Sequence, residues 1–109
     1  MKSFTNLAQA KELAKILPVE TADMHFWNPN GKMILSANCS PDMMFRYETR
    51  NIEAYPCWSL AALMNAMPKH FWKEHLQELV DTAPTMDNLI DGVFYLILEA
   101  HQNQHNILD

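Results

Sequence analysis

The chain has 109 residues, 49% of them hydrophobic, 10% aromatic and 19% charged, which suits one compact domain over residues 1–109 and leaves no room within them for a two-domain enzyme. Thirteen acidic against eight basic residues give a formal charge of −5. No run of Lys or Arg supplies the positive stripe that phosphate neutralisation requires, so nucleic acid is not an expected partner. No window reaches the ~18 apolar residues of a membrane span, and Lys2, Lys11, Glu12 and Lys15 break up the apolar run a signal peptide needs. A cytoplasmic protein with Cys39 and Cys57 reduced is expected.

Phe4, Leu7, Ala10, Ala14 and Leu17 recur at helical spacing, which predicts a first helix capped by Ser3 or Thr5 and stopped by Pro18. From Ala22 to Asn38 the period becomes two. Ala22, Met24 and Phe26 alternate with Asp23, His25 and Trp27, and Met33, Leu35 and Ala37 alternate with Ile34, Ser36 and Asn38. The link Asn28-Pro29-Asn30-Gly31 suits a tight turn, with Pro29 presetting φ and Gly31 taking the left-handed conformation. A hairpin is therefore expected. Ser40-Pro41-Asp42 reads as a second turn, after which Met43, Phe45, Tyr47 and Thr49 alternate with Met44, Arg46, Glu48 and Arg50 as a third strand.

Ser59 is positioned to cap a helix with Leu60, Leu63, Met64 and Met67 on one face, ended by Pro68. Lys69 to Ala83 carries Trp72, Leu76, Leu79 and Val80 among good helix formers, and a strand pair over the same stretch is the alternative. Thr85 or Asp87 opens a final helix in which Leu89, Val93, Leu96, Ile97 and Ala100 form a stripe broadened by Ile90, Phe94 and Leu98, predicting a central buried helix. The fold class that results is α+β: a three-stranded antiparallel meander packed by three to four helices on one face, the other face carrying His25, Trp27, Ile34, Arg46, Glu48 and Arg50. Trp58, between Pro56 and the cap Ser59, falls at the joint of sheet and helix and is expected to anchor the core.

Few residues form a catalytic pattern. His70 and His75 flank Glu74 in a segment similar to the inverted zinc-peptidase motif, but their spacing of five sets the imidazoles about 140° apart on a regular helix, so they cannot share one metal. His101 and His105 are four apart and could hold a metal with Cys39 or Cys57, though the cysteines lie 18 apart and not in a close pair. Cys57 stands just before a predicted helix start, where partial positive charge favours a thiolate, and Cys57-Trp58-Ser59-Leu60 looks like the nucleophile segment of papain-like peptidases. The Gly-rich oxyanion segment is missing, with Ala54-Tyr55-Pro56 in its place. A small buried hydrophobe is the plainer account of Cys57. Glu74 with Glu78 and Asp87 with Asp91 fit solvated helix faces, and with Gly31 and Gly92 the only glycines no phosphate loop or dinucleotide fingerprint exists. No cofactor is expected.

Three stretches, Leu7-Ala8-Gln9-Ala10-Lys11 leading to Glu20-Thr21-Ala22-Asp23-Met24, Tyr55-Pro56-Cys57-Trp58-Ser59-Leu60, and Asp87-Asn88-Leu89-Ile90-Asp91-Gly92-Val93, resemble a group of short, uncharacterised proteins of Bacteroides-type gut bacteria, often found in phage-like or mobile elements. The resemblance implies no activity, implies Ala as a common residue at the place of Cys57, and implies strand-like sequence where Phe71 to Val80 stands. Eight methionines suit core filling, or with Trp27 and Ile34 an apolar patch for another protein or a second copy of the chain. The expected function is a non-catalytic protein-interaction or accessory protein of a mobile element, with Trp27, Ile34, His25 and Arg46 as contact residues. The alternative is a small thiol- or metal-dependent hydrolase using Cys57 or His101 and His105.

Overall fold

The computed structural model describes residues 3–82 and 86–103. Its first helix, α1 (Leu7–Leu13), is capped by Asn6, one residue after Thr5. The Asn6 side chain accepts the Gln9 backbone N–H at 2.8 Å, while the Gln9 side chain accepts the Asn6 N–H at 3.0 Å, satisfying two helix-end donors reciprocally. Ser3 and Thr5 do not cap because their backbones are committed elsewhere: Thr5 N–H donates to the Trp58 carbonyl and the Ser3 carbonyl accepts from Leu60 N–H. Phe4 bridges Ser59 in the same extended stretch. A short 3₁₀ turn (Val19–Thr21) then leads into the sheet.

Strands β1 (Met24–Trp27) and β2 (Ile34–Ala37) form the expected hairpin, pairing Met24 with Ala37 through Trp27 with Ile34. Gly31 takes φ 87° in the connection, the left-handed value anticipated for it. The fold is α+β with a three-stranded antiparallel sheet, but the segment expected as the third strand is a helix, α2 (Pro41–Thr49). Ser40 Oγ accepts the Met43 N–H at 3.1 Å and Pro41 occupies the first helical turn, so Ser40-Pro41-Asp42 is a helix start rather than a turn. At the other end Asn51 adopts φ 57°, and the Asn51 and Ile52 N–H groups return to the carbonyls of Glu48 and Tyr47. This left-handed closure is usually made by glycine.

The third strand is β3 (Ala54–Cys57), which pairs with β1 on the side away from β2, from Met24 with Cys57 to Trp27 with Ala54. The order is β2-β1-β3, with β1 central. Pro56 is tolerated because the Asn28 N–H to Glu53 carbonyl bond sets the alternation so that Ala54 and Pro56 turn their backbones away from β1, where a missing N–H costs no ladder bond.

Helices cover both sheet faces, and the expectation of an open face carrying His25 and Trp27 does not hold. On the back, Lys11 Nζ of α1 lies 4.9 Å from the centre of the Tyr55 ring. On the front, α2 lays Tyr47 over His25 and Trp27. The main core lies beside the sheet, among helices: α3 (Leu60–Ala66), α4 (Lys69–Thr82) and α5 (Met86–Asn103) bring together Leu63, Phe71, Ile90, Val93 and Ile97 with Leu13 and Trp58. Ser59 caps α3 as expected, accepting the Ala62 N–H at 3.2 Å. The stretch after Pro68 is helical, and Trp72 Nε1 donates to the Met64 carbonyl at 2.8 Å to fasten α4 to α3. Ile90, Val93 and Ile97 are wholly buried, as the broad stripe predicted. Of the two expected caps of this helix, Thr85 lies outside the described residues and Asp87 stands inside α5.

Candidate interaction surface

The front of the sheet presents His25 and Trp27 from β1, flanked by Ile34 and Ser36 from β2. His25 is 3% exposed, so it is not the contact residue its alternation suggested. Its Nδ1 lies 2.6 Å from the Asn38 carbonyl and its Nε2 3.0 Å from the Tyr47 hydroxyl. A carbonyl only accepts, so Nδ1 carries a proton and donates to Asn38; in that tautomer Nε2 accepts the hydrogen bond of the Tyr47 hydroxyl. Asn38 reaches this position at φ 71°, a conformation Asn accepts better than most residues. Trp27 Nε1 donates to Ser36 Oγ at 2.9 Å and its ring stacks on Tyr47 with centroids 5.3 Å apart. Both aromatic contact candidates of β1 are therefore largely engaged in holding α2.

The other two candidates diverge. Ile34 stays 40% exposed on the rim of this face. Arg46 is exposed on α2, not on a strand. The nine residues of α2 include none that is buried. Residues 45 and 47 point about 200° apart around a helix, so seating Tyr47 on the sheet turns Phe45 outward, where it is 64% exposed. The alternation of residues 43–50 implies a strand with Phe45 on its inner side, whereas the cap at Ser40 marks the helix that turns it outward. Beside it, Met44, Tyr47, Glu48, Ile52, Glu53 and Tyr55 line an open groove of about 320 Å³. Glu53 accepts the Tyr55 hydroxyl at 2.7 Å, and this bond is the first cause holding the tyrosine above its ordinary titration range.

Cys57 is wholly buried. Its thiol sits 3.4 Å from both Thr5 Oγ1 and the Thr5 carbonyl. Burial pushes the Cys57 thiol up, partly offset by the Thr5 hydrogen bond. Asp23 adds to the upward push, because its carboxylate occupies the start of α3, accepting Ser59 N–H at 2.9 Å and Ser59 Oγ–H at 2.5 Å. The positive end of that helix, expected to favour a thiolate, is thus already matched to a carboxylate. Cys39 is half-buried and pushed up to about 11, first by burial and then by Cys57 and Asp23.

His70 is exposed on α4 and His75 packs its ring 4.5 Å from that of Phe71. His101 is half-buried near the end of α5, and His105 lies outside the described residues. Among the described residues no three His, Cys, Asp or Glu side chains gather in a way that would hold a metal ion. Asp91, grouped with Asp87 as surface charge, instead accepts Gln9 Nε2 at 2.8 Å and ties α5 to α1. A second open groove, about 470 Å³ between the 3₁₀ turn and α3, is lined by Thr21, Asp23, Ala61, Ala62, Asn65 and Ala66. It contains no nucleophile paired with a base. No protein-family model, no curated protein and no solved structure matches this chain.

Proposed function

We propose that the chain is a cytoplasmic, non-catalytic interaction protein, an accessory factor of a mobile element, that works by protein contact through the outer side of α2. The observation that carries this is Phe45, a large apolar side chain 64% exposed on a helix with no buried residue. A ring held outward on an ordered, capped helix is a preformed apolar anchor, the kind of residue that fills a partner's pocket. Ile34 extends the apolar surface along the sheet rim. The accessory role follows from the resemblance of the three sequence stretches. A protein partner suits a chain of charge −5 without a basic stripe, and no described helix is long and apolar enough to cross a membrane. The thiol-hydrolase alternative is not favoured, since burial pushes both thiols up and works against a thiolate.

The test is Phe45→Ser, measured by co-purification from a native lysate. Association should fall while stability changes by less than ~0.5 kcal/mol, the usual scale for an exposed position. A wild-type chain that retains no partner would defeat this reading.

A further inference from the structure

The two outer edges of the sheet are treated differently. The β3 edge is blunted: Pro56 has no N–H to offer, and beyond it the Trp58 carbonyl is taken by Thr5 N–H, with Phe4 bridging Ser59. The β2 edge has no such device. Asn38 N–H donates to the Asp23 carbonyl at 2.9 Å, which sets the alternation on this side. Ile34, Ser36 and Asn38 therefore turn their backbones toward β1, and Met33, Leu35 and Ala37 turn theirs outward. Residues 33–37 contain no charge and no proline. Their pairing with β1 has no bulge, and no other described element packs on β2 as β1 does. Ile34 and Ala37 are exposed at the same edge.

From this unprotected edge, and resting on the reading that the chain acts by protein contact, we infer that β2 pairs antiparallel with β2 of a second copy, making one continuous six-stranded sheet. A two-fold axis at Leu35 satisfies the outward backbone groups of both copies at once. Leu35 then faces Leu35 of the other copy as a hydrogen-bonded pair, and Met33 faces Ala37 on either side. Charge does not oppose this partner, because Lys32 falls opposite Asn38 and no like charges meet across the pairing. A second copy carries the same short, uncharged edge and so matches it residue for residue.

Sedimentation across a concentration range should show a reversible dimer, and Leu35→Pro should weaken it roughly tenfold or more, because it removes an outward donor while leaving the β1 ladder intact. Cross-linking gives a readout that does not depend on the folding of the proline variant. In a Cys39→Ser background, Leu35→Cys should oxidise to a covalent dimer, since hydrogen-bonded pairs bring Cα atoms to about 5.5 Å, within disulfide reach. Ile34→Cys should not, because the two copies of residue 34 are offset along the strands. A wild-type monomer at the highest soluble concentration, or a dimer that survives Leu35→Pro or cross-links through Ile34→Cys, would overturn the inference. If a monomer still captures a different protein in a Phe45-dependent way, self-pairing fails and the α2 reading stands.

Discussion

Removing the Trp58 ring tests whether this side chain joins sheet to helices as the packing indicates. Trp58 is wholly buried, and its Nε1 donates to Thr21 Oγ1 at 2.9 Å. A ring of this kind buries 150–250 Å², which at ~25 cal/mol per Å² corresponds to about 4–6 kcal/mol before opposing entropy and polar terms. Truncation to alanine also leaves a cavity in the core cluster that Trp58 shares with Leu63, Val93 and Ile97, so Trp58→Ala should cost roughly 3–5 kcal/mol. The hydrogen bond is the smaller part. Thr21 is only half-buried and also donates to the Pro18 carbonyl at 2.6 Å, so water can replace some of what is lost, and Thr21→Val should cost about 1 kcal/mol. Trp58→Phe keeps much of the apolar burial and should fall between the two. Urea melts followed by far-ultraviolet circular dichroism avoid the loss of the fluorophore itself. A change below ~0.5 kcal/mol for Trp58→Ala, or an order in which Thr21→Val costs more than Trp58→Ala, would refute the assignment of Trp58 to the core.

Tyr47→Phe leaves the stacking on Trp27 but strands the buried Nε2 of His25, so a loss of about 1–3 kcal/mol is expected in the same melts; an unchanged midpoint would mean that α2 does not depend on this bond. Asn51→Ala should cost about 1 kcal/mol and Asn51→Gly nothing, because φ 57° penalises a Cβ and asparagine tolerates it better than alanine. Equal melts for all three residues would contradict the helix closure. Cys39 is held at about 11 against an ordinary 9.0, so the folded state binds its proton more tightly than the unfolded one. That contribution to stability is complete below pH 9 and declines as the pH rises toward 11. Both thiols should alkylate slowly at neutral pH, and fast modification of Cys57 in the folded protein would restore the nucleophile reading.

Elements coded by local chemistry were legible in the sequence. The turn at Pro29 to Gly31 with alternation on both sides specified the hairpin, Ser59 and Pro68 bounded α3, and the broad stripe from Ile90 to Ala100 marked a buried helix. The α2 segment carried two conflicting local signals. Met43, Phe45 and Tyr47 alternate like a strand, while Ser40, Pro41 and Asn51 mark the ends of a helix. The caps prevailed because they satisfy backbone groups that a nine-residue helix would otherwise leave open. A four-residue strand containing Pro56 offered no pattern to read, and only its place at the edge of the sheet makes that proline harmless.

The residues along the chain therefore determined which segments could be helices and where the hairpin turned, since caps, turns and periodicity act within a few positions. Only the tertiary structure decided that β3 joins on the far side of β1, that α2 closes over His25 and turns Phe45 outward, and that Asp23 reaches the start of α3. Those outcomes depend on contacts between residues 20 to 40 positions apart, such as His25 with Tyr47 and Asp23 with Ser59. Whether such a contact forms is settled by the joint packing of several elements, which no local pattern of caps or periodicity records.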